Sequence, residues 1–320
     1  MKKKVLIVVS IIGIILFINI IRKIGIGLIW ESIKNISLEN FFILIFLRFL
    51  FWSIRTINWK IILNQCCSEI PFWQVFKARI TGFAVNYLTP SANIGGEAVR
   101  VMLINNKSKK SALASVILDK TIELVSTVFF VIVAIAIALY KLPMPDYQKY
   151  IYVGFILLSI TMMVFVLRKQ HQGLLKWIIS KLEKVKISFK FIKNNTDKIR
   201  EVDENISGFY KNNKKKYFTV LFFYGVQFMI WTTEIFFTLN FIGLESITFL
   251  QSYLIVSLGA IAFVMPVLPG GIGIYELTYI TVFKLLGLDT SLCMALVIIR
   301  RTIALTWAGT GLTFMIRTKK

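Results

Sequence analysis

The sequence predicts an all-α polytopic membrane protein of about 6–8 transmembrane helices, with two re-entrant broken-helix hairpins set in an inverted repeat. Three observations carry that expectation. The 320 residues are 57% hydrophobic and only 17% charged, more apolar than a soluble core requires, and several apolar runs reach bilayer length. The net charge of +22 gathers between those runs, as in cytoplasmic loops that face anionic lipid. Two apolar stretches are interrupted by proline and paired glycines: NYLTPSANIGGEAVR at 86–100 and FVMPVLPGGIGIYE at 263–276.

The first run, Val5 to Ile21, follows the basic start Met1 to Lys4 and is followed by Arg22 and Lys23 rather than a small-x-small cleavage site. It is expected to be an uncleaved span with its N-terminus inside. Phe41 to Leu63 is the second span; Arg48, Trp52, Arg55 and Trp59 share one of its faces. An arginine at the bilayer centre costs about 2.5 kcal/mol or more, so these side chains either snorkel, pair structurally or line a site. The first broken element covers Phe72 to Ile104, and Ser111 to Tyr140 is a long helix with Asp119, Lys120 and Glu123 near its start.

Pro143 and Pro145 mark a turn before a span at Tyr150 to Leu167. Arg168 to Lys216 carries 14 Lys/Arg against 5 Asp/Glu, which places it on the cytoplasmic side. Within it Ile192, Ile199, Val202, Ile206 and Phe209 recur at helical spacing. That pattern fits an amphipathic helix on the membrane surface or a linker packed on the bundle. Tyr217 to Ile242 spans with Glu234 mid-segment, Phe249 to Leu286 holds the second broken element, and Ser291 to Ile316 is the last span, with Arg300 and Arg301 in its middle. Residues 1–320 thus read as one integral membrane domain: first span and outer loop (1–40), first repeat (41–140), linking span and basic loop (141–216), second repeat (217–320).

With basic loops inside, both termini are cytoplasmic in a multi-pass cell (plasma) membrane protein, and the two repeats run in opposite directions. Their register agrees: Lys120 follows Glu97 by 23 positions, and Arg300 follows Glu276 by 24. Proline removes a backbone donor and glycine destabilises a helix, so each helix must stop and restart. In hydrocarbon such a break survives only when buried in protein or lining a polar cavity, which makes both breaks site candidates.

The candidate substrate-binding residues are Asn86, Pro90, Gly95, Gly96, Glu97 and Arg100 in the first element; Asp119 and Lys120 in the helix after it; and Pro269, Gly270, Gly271, Glu276, Arg300 and Arg301 in the second half. Restarting helices point positive N-terminal ends inward, and the glycine pairs let a ligand approach that backbone. The arginines add full charges in a planar fork suited to a phosphodiester. Glu97 and Glu276 either bind the cationic part of a headgroup, carry a coupling proton, or pair with the arginines of their own half.

No cofactor or metal is expected, and no catalytic residue is assigned. Cys66, Cys67 and Cys293 form no pattern, His171 stands alone, and there is no Gly-x-Ser-x-Gly elbow, phosphate loop or His-Glu-x-x-His. The placement of the charge argues against nucleic acid. The expected partners are a membrane phospholipid or polyprenyl-phosphate lipid and an anionic lipid surface, with a separate synthase or a second copy of the chain as further candidates.

The paired motifs NYLTPSANIGGEAVR and PVLPGGIGIYE, each followed by a charged helix (LDKTIEL and IIRRTIAL), resemble the lysylphosphatidylglycerol synthase transmembrane region, or flippase-like domain family. The resemblance covers nearly the whole chain. It implies a lipid flippase-like protein translocating phosphatidylglycerol, its aminoacyl form or a related lipid-phosphate headgroup. In long members such as the multiple peptide resistance factor this region precedes a soluble domain that transfers lysine from lysyl-tRNA to phosphatidylglycerol. The last span here is followed by only a few residues, so translocation without that domain is the expectation. Phosphatidylglycerol lysyltransfer, which underlies cationic peptide resistance, and membrane anchoring of a separate synthase are the alternatives. The family commonly has Glu-Arg where this chain has Asp119-Lys120.

Overall fold

The computed structural model describes residues 27, 36–67, 69–89, 95–104, 109–142, 145–174, 176–177, 180–181, 196–260 and 274–317. Among them the chain is all-helical, in the order α1 (Leu38–Cys66), α2 (Phe72–Leu88), α3 (Gly95–Leu103), α4 (Lys109–Lys141), α5 (Asp146–Gln172), α6 (Thr196–Asn212), α7 (Lys214–Phe241), α8 (Phe249–Gly259), α9 (Ile274–Leu285) and α10 (Thr290–Arg317). Five of these, α1, α4, α5, α7 and α10, are long and apolar enough to cross a membrane. The protein is a polytopic helical membrane protein. The expected first span at Val5 to Ile21 lies outside the described residues.

The two interrupted stretches each separate a pair of shorter helices. In the first half α2 ends at Leu88 and α3 begins at Gly95; in the second, α8 ends at Gly259 and α9 begins at Ile274. Pro90, Pro269, Gly270 and Gly271 fall in the intervening stretches, outside the described residues. The start of α8 is fixed by a capping box: the Gln251 amide donates to Thr248 Oγ1, and the Gln251 side chain accepts from the Thr248 amide at 2.9 Å.

Contacts divide the chain into two units. The first comprises Met1–Thr56, Trp73–Leu103 and Val226–Lys320, and so holds both interrupted stretches together with α10. Small residues let its helices approach closely. A Cβ on Gly82 of α2 would stand 2.8 Å from the Gly96 carbonyl oxygen and 2.6 Å from Arg100 Cγ, and one on Gly311 would stand 2.5 Å from the Ile80 carbonyl oxygen. With no side chain at these positions, α2 meets α3 on one side and α10 on the other. Ala84 and Leu88 of α2 pack with Leu305, Ala308 and Leu312 of α10, and Thr81 Oγ1 donates to the Gly311 carbonyl at 3.3 Å.

The second unit comprises Ile57–Phe72 and Ile104–Gly225. The amphipathic pattern of the basic segment forms α6 around Ile199, Val202, Ile206 and Phe209, Ile192 lying outside the described residues, and its apolar face is buried in protein: Val202, Ile206, Phe209 and Tyr210 pack with Ala114, Leu118 and Ile122 of α4 and Val220 and Tyr224 of α7. The packed linker, rather than a helix lying on lipid, is what the structure contains. The Tyr210 hydroxyl donates to Gln170 at the end of α5, and Lys110 pairs with Glu201. Burial raises the Tyr210 phenol above the ordinary tyrosine range.

Candidate functional site

Both restarting helices carry a glutamate in their first turn, Glu97 in α3 and Glu276 in α9, where a carboxylate is favoured by the positive end of the helix. Their partners differ in kind. Glu97 Oε2 accepts from Arg100 Nη1, one turn on, at 2.6 Å. Asn86 closes the arrangement: its Oδ1 accepts the Gly96 amide at 2.6 Å, and its Nδ2 donates to Glu97 Oε1 at 3.4 Å. Asn86 therefore satisfies one of the donors that the start of α3 leaves without an intrahelical partner.

Glu276 is held from outside its own helix. Arg301 of α10 donates Nε to Glu276 Oε1 at 2.8 Å, and its Nη2 reaches the same oxygen. The neighbouring Arg300, 7% exposed, has a different environment. Its Nη1 donates to the Tyr279 hydroxyl at 2.6 Å, and its guanidinium lies over the rings of Trp231, Tyr275 and Tyr279, at 5.2, 5.7 and 5.6 Å. Among the described residues no carboxylate oxygen comes within 4.0 Å of Arg300. Cation–π contact and one phenolic oxygen hold it where a counter-ion is usual. Glu234 of α7, fully buried, is paired with Arg48 of α1, and lies within electrostatic reach of Arg300.

The first element reaches this group through Tyr87, whose hydroxyl is in electrostatic range of Arg301, Glu276 and Arg300. Among the described residues the first unit thus groups Arg48, Arg300 and Arg301 with Glu234 and Glu276, three guanidiniums and two carboxylates. The excess sits on α10, mid-span. An arginine so placed, with ring faces around it and no described carboxylate on it, can receive a compact anion by displacing little.

Of the residues singled out from the sequence, the structure brings Asn86, Gly96, Glu97 and Arg100 together at the start of α3, with Gly95 opening that helix, and Glu276, Arg300 and Arg301 together between α9 and α10. Asp119 and Lys120 belong to the second unit. There Asp119 is fully buried and accepts from the Tyr224 hydroxyl at 2.8 Å, while Lys120 is exposed, with its Nζ 3.7 Å from Glu123. Among the described residues no three His, Cys, Asp or Glu side chains converge.

Residues 4–312 match the family described as the lysylphosphatidylglycerol synthase TM region. The chain belongs to this family. It is similar to the UPF0104 membrane protein PH1989 of Pyrococcus horikoshii, 29% identical over 80% of this chain and 78% of that protein. It is also similar to a UPF0104 membrane protein of Methanothermobacter thermautotrophicus, 24% identical over 93% of this chain and 90% of that protein. A third relative, MJ1595 of Methanocaldococcus jannaschii, is 22% identical over the same shares. No solved structure matches the chain. Within this family member, sequence reasoning passed over Tyr87, Trp231, Tyr275 and Tyr279, which surround the charged group; in a chain with 27 Phe and 11 Tyr, an aromatic residue on an apolar helix carries no distinguishing signal.

Proposed function

We propose that the protein is a lipid translocase of the cell membrane that carries an anionic phospholipid or lipid-phosphate headgroup between leaflets. The observation that supports this best is Arg300: a buried mid-span guanidinium held by Trp231, Tyr275 and Tyr279, with no carboxylate of the described residues on it. A headgroup phosphodiester supplies the charge that this group lacks, and the aromatic rings suit the glycerol and acyl region next to it. The paired short helices in each half supply a polar interior for the headgroup to cross. The basic segments set both termini on the cytoplasmic side.

The test is headgroup movement in proteoliposomes with labelled phosphatidylglycerol and its lysyl ester. Wild-type protein is expected to move label faster than empty vesicles, and the Arg300→Ala, Glu276→Ala double variant to lose that excess. Rates equal to empty vesicles, or full activity in the double variant, sink the reading. The family's description names a synthase; lysyl-lipid formed by the purified protein from lysyl-tRNA and phosphatidylglycerol would put transfer in place of transport.

A further inference from the structure

Two buried indoles outside the group around Arg300 carry donors that no described residue accepts. Trp52 of α1 is 3% exposed and Trp307 of α10 is 9% exposed. Their rings lie 6.3 Å apart, and neither Nε1 has a hydrogen-bond partner among the described residues. An indole N–H can only donate, and burying it without an acceptor is unfavourable. The pair sits where three helices meet: the Trp52 ring is 4.7 Å from Phe83 and the Trp307 ring 6.2 Å from Phe76, both of α2.

Arg55, three residues on from Trp52 along α1, brings a full positive charge. Its guanidinium lies 5.3 Å from the Trp52 ring and 5.6 Å from the Phe51 ring. Such stacking engages the guanidinium face and leaves its N–H fork at the edge. A ligand that only accepts, such as a phosphodiester, complements one cation and two indole donors; water or a hydroxyl would bring hydrogens that need acceptors of their own. An unbroken aromatic row joins this group to Arg300. The Trp52 and Phe51 rings are 5.4 Å apart, Phe51 and Trp231 are 6.2 Å apart, and the Arg300 guanidinium is 5.2 Å from Trp231.

We propose that Arg55, Trp52 and Trp307 form a second binding station for the phosphodiester of the transported lipid, separate from Arg300 and joined to it by the row Trp52, Phe51, Trp231. This rests on the anionic-headgroup reading above. A headgroup that steps between two cationic positions along ring faces has donors at both ends of the step, so its charge crosses the protein interior without a long stretch of bare hydrocarbon contact.

The experiment is nuclear magnetic resonance of the full chain in non-ionic detergent, with isotope-labelled indole nitrogens, titrated with short-chain phosphatidylglycerol. The chain has 7 Trp; Trp52→Phe and Trp307→Phe, which keep a ring and remove the N–H, assign the two signals. Saturating lipid is expected to move both downfield, as new charge-assisted hydrogen bonds require. Uncharged short-chain diacylglycerol is expected to leave them in place. In proteoliposomes the Trp52→Phe, Trp307→Phe double variant is expected to slow movement of labelled phosphatidylglycerol about tenfold or more.

Lipid that binds while both signals stay in place overturns the second station and leaves the Arg300 position standing. Signals that move with inorganic phosphate and not with the lipid mark a free-phosphate site and overturn the proposal. A shift with diacylglycerol gives the donors to ester carbonyls and overturns the phosphodiester assignment. A double variant as fast as wild type removes the station from the transport path. No binding of the lipid by wild type overturns the anionic-headgroup reading itself. Should the variants fail to fold, the wild-type titration decides: two or more indole signals moving downfield together support the station, and one or none removes it.

Discussion

The two interrupted stretches are built from the same residue types and do different things with them. In the first, the glutamate's partners among the described residues are local: Glu97 meets Arg100 within one helix, and Asn86 ties both Glu97 and the Gly96 amide to α2. Glu97 is engaged within its own hairpin, and Gly82 and Gly96 bring the two backbones together. In the second, the glutamate is held by an arginine 25 residues away on α10, and the adjacent arginine rests on aromatic rings. A closed local pair fixes a hairpin, whereas charge distributed across helices leaves an electrostatic position that another molecule can fill. The first element is read as the clamp and the second as the working side.

The comparison breaks most visibly at the clamp. A Cβ on Gly96 would overlap the Gly82 carbonyl oxygen, a backbone atom that cannot rotate away. Gly96→Val is expected to cost about 3 kcal/mol or more by overpacking, read as loss of monodisperse protein or a steep fall in melting temperature in detergent. Melting at the wild-type temperature would show that α2 and α3 are not clamped there. On the working side, Arg300→Ala is expected to slow lipid movement about tenfold or more, since a charge-assisted contact is worth about 1.5–3 kcal/mol. Because no carboxylate among the described residues is paired with Arg300 to be left orphaned, its melting temperature should stay near that of wild type. A variant that is fully active but unstable would reverse the two roles.

Asn86→Ala leaves the Gly96 amide without its side-chain acceptor. It is expected to cost about 1–3 kcal/mol of stability, seen in chemical denaturation, and to affect movement only as far as it unfolds the protein. In the second unit, Tyr210→Phe removes only the bond to Gln170 and should cost about 1 kcal/mol with transport unchanged. The smallest effect is at Asp289. The Ser291 hydroxyl and amide, at 2.7 and 2.9 Å, hold its carboxylate below the ordinary aspartate range at the start of α10. The folded value is the depressed one, so the cap is fully present above about pH 4 and is lost as pH falls further. The protection of the Ser291 amide, measured against its intrinsic exchange rate at each pH, should fall over that acid range, and Asp289→Asn should remove the change.

Several of these features were legible from residues alone, for physical reasons. Proline and paired glycine interrupt a helix, so α2 and α8 stop before the prolines, α3 restarts at its glycine pair with Gly95, and α9 restarts after Gly270 and Gly271. Arg48 and Glu234 were each recognisable as charges too costly to face lipid. Their pairing, across nearly two hundred positions, depends on how α1 and α7 meet, which no local pattern records. Two further glycines at close helix approaches, Gly82 and Gly311, break no helix and so left no local signal. The equal spacing that matched Lys120 with Arg300 records position and not surroundings: Lys120 is exposed beside Glu123 in the second unit. Asp119 is satisfied by Tyr224 in the second unit, while Arg300 sits among rings in the first. For α6, period 3.6 revealed an apolar face but could not distinguish lipid from protein as its neighbour.

The most direct measurement is the rate of labelled phosphatidylglycerol movement by Arg300→Ala against wild type, reconstituted at equal amounts of folded protein. A fall of about tenfold or more, with the melting temperature held, is what a working anion position on α10 requires. Movement at the wild-type rate would contradict it.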